Sequence, residues 1–183
     1  MSSFKLFLCN LILPLIPETR LFGMKRALYR FCGITIGKNV RICSSARIIG
    51  SGNLSIKENT WIGPQSLLIV SSKVVIGENC DIAPRTCIVT GSHKINLITE
   101  NKIAGEGYNL PIHIGNGCWI CIGATILGGS DIGDCSIVAA GSIVKGTFPK
   151  RQLICGTLAK GQDIKQPCLL YTSPSPRDRQ KSR

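Results

Sequence analysis

The chain has 183 residues, of which 44% are hydrophobic and 17% charged, and it carries a formal net charge of +12. This length predicts one domain with a substantial core, and the sequence contains no apolar run of about 18 residues that could cross a membrane. Because the few aromatic residues are not interleaved with the basic ones, the charge indicates an anionic cofactor or an anionic lipid surface rather than nucleic acid.

Ten cysteines are scattered along the chain without the spacing of a disulfide framework. We expect them to be reduced, which is typical of a cytoplasmic protein. Cys118 and Cys121 form a C-x-x-C motif. Neither a second pair nor a histidine complements that motif, so we expect no metal site and no metal requirement.

Residues 1–35 are predicted to form a short amphipathic helical cap, in segments interrupted near Pro14 and Pro17. Two compatible interpretations of these helices remain open. They cover the open sheet edge of the domain that follows, or they lie on a membrane surface with lysine and arginine side chains at the lipid headgroups.

Residues 36–166 contain a six-residue repeat of aliphatic residues that runs from Ile36 to Val144. Two extra residues follow Ile48 and Leu68, at one corner of the early coils, and one long interruption lies between 88 and 114. Neither a helix nor a simple alternating strand has this period. The period suits a chain that forms a flat side, turns a corner and repeats, so that three sides close a coil of about 18 residues. We therefore predict an all-β fold, a parallel β-helix of about five coils. The predicted interior positions are Ile36, Ile42, Ile48, Ile56, Ile62, Leu68, Ile76, Ile82, Ile88, Ile114, Ile120, Ile126, Ile132, Val138 and Val144.

Residues 92–111 form one long excursion loop from the repeat. Loops of this length are uncommon in compact domains and are usually functional. The two histidines of the chain, His93 and His113, lie at its two ends. A neutral imidazole at the base of such a loop can act as a general base, which makes His93 the candidate catalytic residue. His113 precedes an interior position and is expected to point outward.

Residues 167–183 share no pattern with the rest of the chain. We expect a disordered, non-native tail there and exclude it from the fold prediction.

The consecutive hexads of residues 114–144 resemble the repeats of the hexapeptide-repeat acyltransferases, whose fold is a left-handed parallel β-helix. The handedness is implied by the resemblance alone, because ordinary parallel crossovers are right-handed. Residues 76–93 are similar to the galactoside and maltose acetyltransferase segment that ends in the catalytic histidine. The N-terminal cap and the Gly-Ser-His sequence resemble the envelope-polysaccharide O-acetyltransferases of colanic acid or lipopolysaccharide synthesis.

The resemblance implies transfer of an acetyl group from acetyl-CoA to a hydroxyl of a sugar or glycolipid, with His93 as general base, in a homotrimer. The enzyme would be cytoplasmic, with a peripheral contact to the inner face of the membrane as a further expectation. The residues that match the family's positions near acetyl-CoA are Ile122, Gly123, Ala140 and Gly141 along the cofactor arm, and Lys145 and Lys160 near its phosphates. Cys121, Gly63 and Leu158 depart from the family pattern, so the resemblance does not identify the acceptor.

Two alternatives remain open. A serine O-acetyltransferase-like enzyme would share the fold, but it usually carries a long helical N-terminal domain that 35 residues cannot build. A non-catalytic structural β-helix would show regular outward polar rows and no long loop. A γ-class carbonic anhydrase needs three zinc-binding histidines, and the chain has only two.

Overall fold

The computed structural model describes residues 1–96, 102–157 and 159–163. The predicted tail at 167–183 and the departure at Leu158 therefore lie outside the described residues. The helices are α1 (Ser3–Ile12), a short 3₁₀ helix (Leu13–Leu15) and α2 (Phe22–Phe31). The strands are β1 (Thr35–Ile36), β2 (Arg41–Ile42), β3 (Arg47–Ile49), β4 (Asn53–Ile56), β5 (Trp61–Ile62), β6 (Leu67–Ile69), β7 (Lys73–Ile76), β8 (Asp81–Ile82), β9 (Cys87–Val89), β10 (Gly91–Ile95), β11 (Ala104–Asn109), β12 (Ile112–Ile114), β13 (Trp119–Ile120), β14 (Thr125–Leu127), β15 (Asp131–Ile132), β16 (Ile137–Val138), β17 (Ile143–Val144), β18 (Thr147–Phe148), β19 (Gln152–Cys155) and β20 (Lys160–Asp163).

Three parallel sheets form the sides of a triangular prism. Sheet A has the order β1-β4-β7-β12-β15-β18, sheet B has β2-β5-β8-β13-β16-β19-β20, and sheet C has β17-β14-β9-β6-β3. The register confirms the predicted repeat, since Ile62 pairs with Ile82 and Ile82 pairs with Ile120 on successive coils. Every predicted interior position is at most 5% exposed.

The prism has about six coils rather than the predicted five, as the six strands of sheet A show. Beyond Val144, the side chains of Phe148 and Ile154 also point inward, with exposures of 8% and 0%. Phe148 follows Val144 by four residues instead of six, so the hexad period alone could not find it.

The small residues at the corners satisfy buried backbone carbonyls. Ser130 Oγ lies 2.7 Å from Leu127 O and 3.1 Å from Val144 O, on the next coil. Thr60 Oγ1 donates to Gly77 O at 2.7 Å. A short hydroxyl side chain thus fits the crowded turn and ties one coil to the next.

The predicted helical cap is confirmed, because α1 and α2 pack on the first coil, whose strands β1, β2 and β3 are sheet edges. Leu6, Cys9 and Leu13 of the first helical segments are buried there, and so is Tyr29 of α2. Asn10 Nδ2 donates to Ile48 O of β3 at 2.8 Å. Covering the first coil in this way protects the edge strands from pairing with another chain. Neither helix in the described part of the chain is long and apolar enough to cross a membrane.

The excursion at 92–111 is a β-hairpin in its described part, not an irregular loop. Strands β10 and β11 pair antiparallel, with Ser92 opposite Tyr108 and His93 opposite Gly107. The hairpin closes where Leu110 N donates to Thr90 O at 2.9 Å, at the end of a sheet C strand. Both strands are mixed sequences with no regular alternation of apolar residues, so the sequence pattern could not predict them.

Candidate active site

His93 lies on β10 with its imidazole exposed to solvent. Its Nδ1 atom is 2.9 Å from Gly105 O on the opposite strand of the hairpin. A carbonyl oxygen can only accept a hydrogen bond, so Nδ1 carries the proton and donates it. In the neutral imidazole, Nε2 is then the nitrogen without a proton, and it can take a proton from a bound hydroxyl group.

An open cavity of about 740 Å³ surrounds this histidine. Its volume lies within the usual range of small-molecule sites. Lys94 forms an ion pair with Glu106 at 2.7 Å, which offsets its charge. Among the described residues, Lys145 has no acidic partner, so its ammonium group favours an anionic ligand at this place. The lining residues are Ser92, His93, Lys94, Ile95, Tyr108 and Lys145.

Four of the predicted acetyl-CoA residues lie together at the corner between sheets B and C. In successive coils this B–C corner contains residues 63–66, 83–86, 121–124 and 139–142. Gly141 N donates to Ile122 O at 3.0 Å, which stacks the pair Ala140–Gly141 on the pair Ile122–Gly123.

The two glycines of the B–C corner are not required by packing within the chain. Gly123 and Gly141 have φ values of +68° and +69°, and a Cβ on either would meet nothing within 4 Å. The equivalent corner positions of earlier coils hold Gln65 and Arg85, at φ values of +57° and +60°. Larger side chains therefore fit this backbone, and the glycines leave the surface of the later coils open to a ligand.

The structure places the remaining predicted site residues elsewhere. Lys145 follows β17 and lies beside His93. Both residues are at the carboxyl ends of the sheet C strands, whereas the B–C corner is at their amino ends. Lys160 begins β20 and pairs with Cys155 of β19. The length of a sheet C strand separates these two ends, and the three residues of β14 span about 10 Å. Within one chain, the structure therefore does not bring His93 and the small residues of the corner together.

His113 points outward from β12, as predicted, and is exposed. Its Nδ1 atom is 2.8 Å from Asp131 Oδ1 on the neighbouring strand β15. Sequence reasoning missed this carboxylate, although a separation of 18 residues is the length of one coil. Tyr108 and Ser92 of the His93 cavity were missed as well, because no sequence signal predicted the pairing of the hairpin strands.

The two cysteines of the C-x-x-C motif differ in their burial. Cys118 is buried and Cys121 is partly buried. Burial raises the pKa of the Cys121 thiol, which makes it a poor nucleophile at neutral pH. Among the described residues, no three histidine, cysteine or acidic side chains come together as a metal site would require.

Comparison with known proteins shows that this prism has the fold of a solved acetyltransferase. The crystal structure of a hexapeptide-repeat containing acetyltransferase, VCA0836 from Vibrio cholerae, complexed with acetyl-CoA, matches with a TM-score of 0.72 at 23% identity. The match covers 90% of this chain and 87% of that one, and it shows a shared fold. The predicted resemblance to the hexapeptide-repeat acyltransferases is confirmed. The fold of this chain is accordingly the left-handed parallel β-helix of those enzymes.

Relatives by sequence carry acetyltransferase names. The putative colanic acid biosynthesis acetyltransferase WcaF of Escherichia coli is 29% identical over 142 residues, which cover 76% of this chain and 74% of WcaF. The galactoside O-acetyltransferase of Escherichia coli is 30% identical over 67% of this chain and 50% of that enzyme. The putative acetyltransferase YJL218W of Saccharomyces cerevisiae is 36% identical over 40% of this chain and 36% of its own length. No protein-family model matches the chain.

The matched segments thus span between about a third and three quarters of these relatives' own lengths. The prediction of an acetyl-CoA-dependent acyltransferase agrees with all of these comparisons.

Proposed function

We propose that the chain is an acetyl-CoA-dependent O-acetyltransferase that acts on a sugar hydroxyl in polysaccharide or lipopolysaccharide biosynthesis. The observation that carries this proposal is the hydrogen bond from His93 Nδ1 to Gly105 O, which leaves Nε2 free in an open cavity. The colanic acid and galactoside acetyltransferase names of two relatives support a sugar as the acceptor.

His93 acts as the general base of a direct transfer. Its Nε2 atom takes the hydroxyl proton of the acceptor while that oxygen attacks the thioester carbonyl of acetyl-CoA. The new C–O bond forms, the C–S bond breaks, and the departing sulfur takes up the proton. No acyl-enzyme is needed, because both substrates meet in one cleft. A backbone N–H group stabilises the tetrahedral oxyanion.

A homotrimer would complete this site. His93 and the B–C corner lie at opposite ends of the sheet C strands, at least about 10 Å apart along a strand. A neighbouring chain that packs its flat side against this one can bring its own corner to the His93 cavity. Trp119, Ile122 and Ile143, which are 45%, 50% and 36% exposed, supply apolar surface for that contact on and around the corner. This assembly is contradicted if light scattering at micromolar concentration gives the molar mass of a monomer and the same sample is fully active.

The acceptor is either a free sugar or a glycolipid. A peripheral contact with the inner face of a membrane would bring the enzyme to a glycolipid acceptor. Release of CoA, measured against a panel of sugars and lipid-linked oligosaccharides, distinguishes the two classes.

Substitution of His93 tests the proposed chemistry. His93→Ala is expected to lower kcat by roughly 10²–10⁴-fold, the usual contribution of a general base. Both histidines are exposed, so neither substitution should unfold the chain. His113→Ala is the matched control and should cost much less. The assay is turnover at saturating acetyl-CoA, with circular dichroism to verify folding. If His93→Ala keeps more than about a third of wild-type turnover, His93 is not the base.

A further inference from the structure

Helix α1 has two apolar faces, and only one of them is covered. Leu6, Cys9 and Leu13 share the face that packs on the prism. On the opposite face, Phe4, Phe7 and Leu11 are 72%, 65% and 65% exposed. Their spacing of three and four residues places them on one stripe of the helix, which also contains Leu8 and continues to Leu15. We call this outward stripe, Phe4, Phe7, Leu8, Leu11 and Leu15, the α1 stripe.

The α1 stripe cannot be part of a membrane-spanning helix. Ten residues of α-helix are about 15 Å long, half the thickness of the hydrocarbon core of a bilayer. The inward face of the same helix is already fixed to the first coil through Asn10 and Ile48. A short helix with this geometry lies in the plane of the membrane interface, with its apolar face among the acyl chains.

Two basic residues, Lys5 and Arg47, lie beside the α1 stripe. Residues 1–57 contain nine lysine or arginine residues, of which Lys25 is buried, and one acidic residue, Glu18. Glu18 is held by the backbone N–H and hydroxyl of Ser45. Arg47 lines a surface groove together with Phe7 and Leu11. Lys5 Nζ lies 4.1 Å from the ring centre of Phe31, whose side chain is 69% exposed. Within the described residues, neither Lys5 nor Arg47 has an acidic partner.

These charges decide between two occupants of the stripe. A second copy of the chain, docked by the same face, would place Lys5 and Arg47 near the same two residues of its partner. Such like-charge contacts oppose association, and no acidic side chain of the stripe could relieve them. A bilayer that contains anionic lipids offers acyl chains to the apolar residues and negative headgroups to the basic ones.

We propose that the α1 stripe docks this protein onto the surface of an anionic lipid bilayer, with the capped end of the prism facing the membrane. Lys5 and Arg47 contact headgroups at the rim of the stripe, while the phenylalanine and leucine side chains enter the interface. The His93 hairpin leaves the side of the prism, so it stays in water while the cap is bound. In the trimer proposed above, three parallel prisms would present three stripes to one membrane, which strengthens binding by avidity.

Flotation of the full-length chain with lipid vesicles tests this docking without any acetyl transfer, so its failure is distinct from failure of the proposed enzyme. The probes are vesicles of phosphatidylcholine alone and vesicles of phosphatidylcholine and phosphatidylglycerol in equal parts. The wild type is expected to float with the anionic vesicles and to be released by high salt. Phe7→Ser with Leu11→Ser should reduce the partition coefficient at least ~10-fold.

Two further variants separate the causes. Lys5→Gln with Arg47→Gln should reduce binding to anionic vesicles roughly 25-fold, because each basic residue contributes about a factor of five. Ile103→Ser is the matched control, since Ile103 is 67% exposed on the hairpin and its substitution should leave flotation unchanged. Circular dichroism verifies that the variants fold.

Three outcomes overturn the proposal. The wild type fails to float with anionic vesicles, or the Phe7 and Leu11 substitutions leave flotation unchanged. In the third outcome, the chain does not bind vesicles and elutes from a size-exclusion column as an oligomer, and Phe7→Ser with Leu11→Ser dissociates that oligomer. That result would identify a second copy as the occupant of the stripe.

Discussion

Replacement of Gly123 by glutamine tests whether the B–C corner is where acetyl-CoA binds. Glutamine is the residue at the equivalent corner position of an earlier coil, Gln65, which has a φ of +57°. At Gly123 the φ value is +68°, and a Cβ would meet nothing within 4 Å. The substitution therefore creates no clash inside the chain, and only the left-handed backbone opposes it. That cost is about 1–2 kcal/mol for a residue other than glycine.

A stability loss of this size leaves the chain folded, so a change in the KM for acetyl-CoA would report on binding at the corner. If the cofactor arm runs along the corner, the glutamine side chain occupies its path, and close approach to the backbone is lost. We expect the KM for acetyl-CoA to rise at least ~10-fold, equivalent to about 1.4 kcal/mol of binding free energy. Initial rates at varied acetyl-CoA give the KM, and urea unfolding gives the stability.

Gly117→Gln is the matched control. Gly117 has a φ of +64° at a different corner, where Asn79 and Cys135 hold the equivalent positions of neighbouring coils. It should lose a similar amount of stability without any change in KM. If Gly123→Gln leaves the KM for acetyl-CoA within about twofold of wild type, or if both variants raise it equally, the corner is not the cofactor site.

Two further predictions concern stability. Ile120→Ala should lower the free energy of unfolding by about 2–5 kcal/mol, because Ile120 is fully buried inside the prism. The control is Ile122→Ala, which should cost far less because Ile122 is half-exposed. Urea titration measures the free energy of unfolding of both variants. Burial, with a smaller contribution from Glu18, raises the pKa of the Cys43 thiol from 9.0 to about 11. The unfolded thiol ionises first, so the stability is fully present below pH 9 and is lost as the pH rises through 11, by at most about 3 kcal/mol. Cys43→Ala should flatten that part of the pH profile, and an unchanged slope would exclude Cys43 as its cause.

Much of the candidate site could be predicted from particular residues, and some of it could not. His93 stood out because the six-residue repeat breaks beside it, and the repeat is a local signal. Its hydrogen bond to Gly105 could not be predicted, because nothing in the sequence specifies how the two strands of the hairpin pair. The same holds for His113 and Asp131, which become neighbours only when one coil stacks on another.

The sequence by itself determined the sides of the prism and its interior. Each regular six-residue side points one large aliphatic side chain inward, so the position of Ile120 or Val138 follows from its neighbours six residues away. Only the tertiary structure decided which outward residues meet. It brought Lys145 to His93 across 52 residues and left the B–C corner at the other end of the sheet C strands. The reason is physical: outward contacts depend on how whole coils stack and on where the hairpin leaves them, and no local period encodes either.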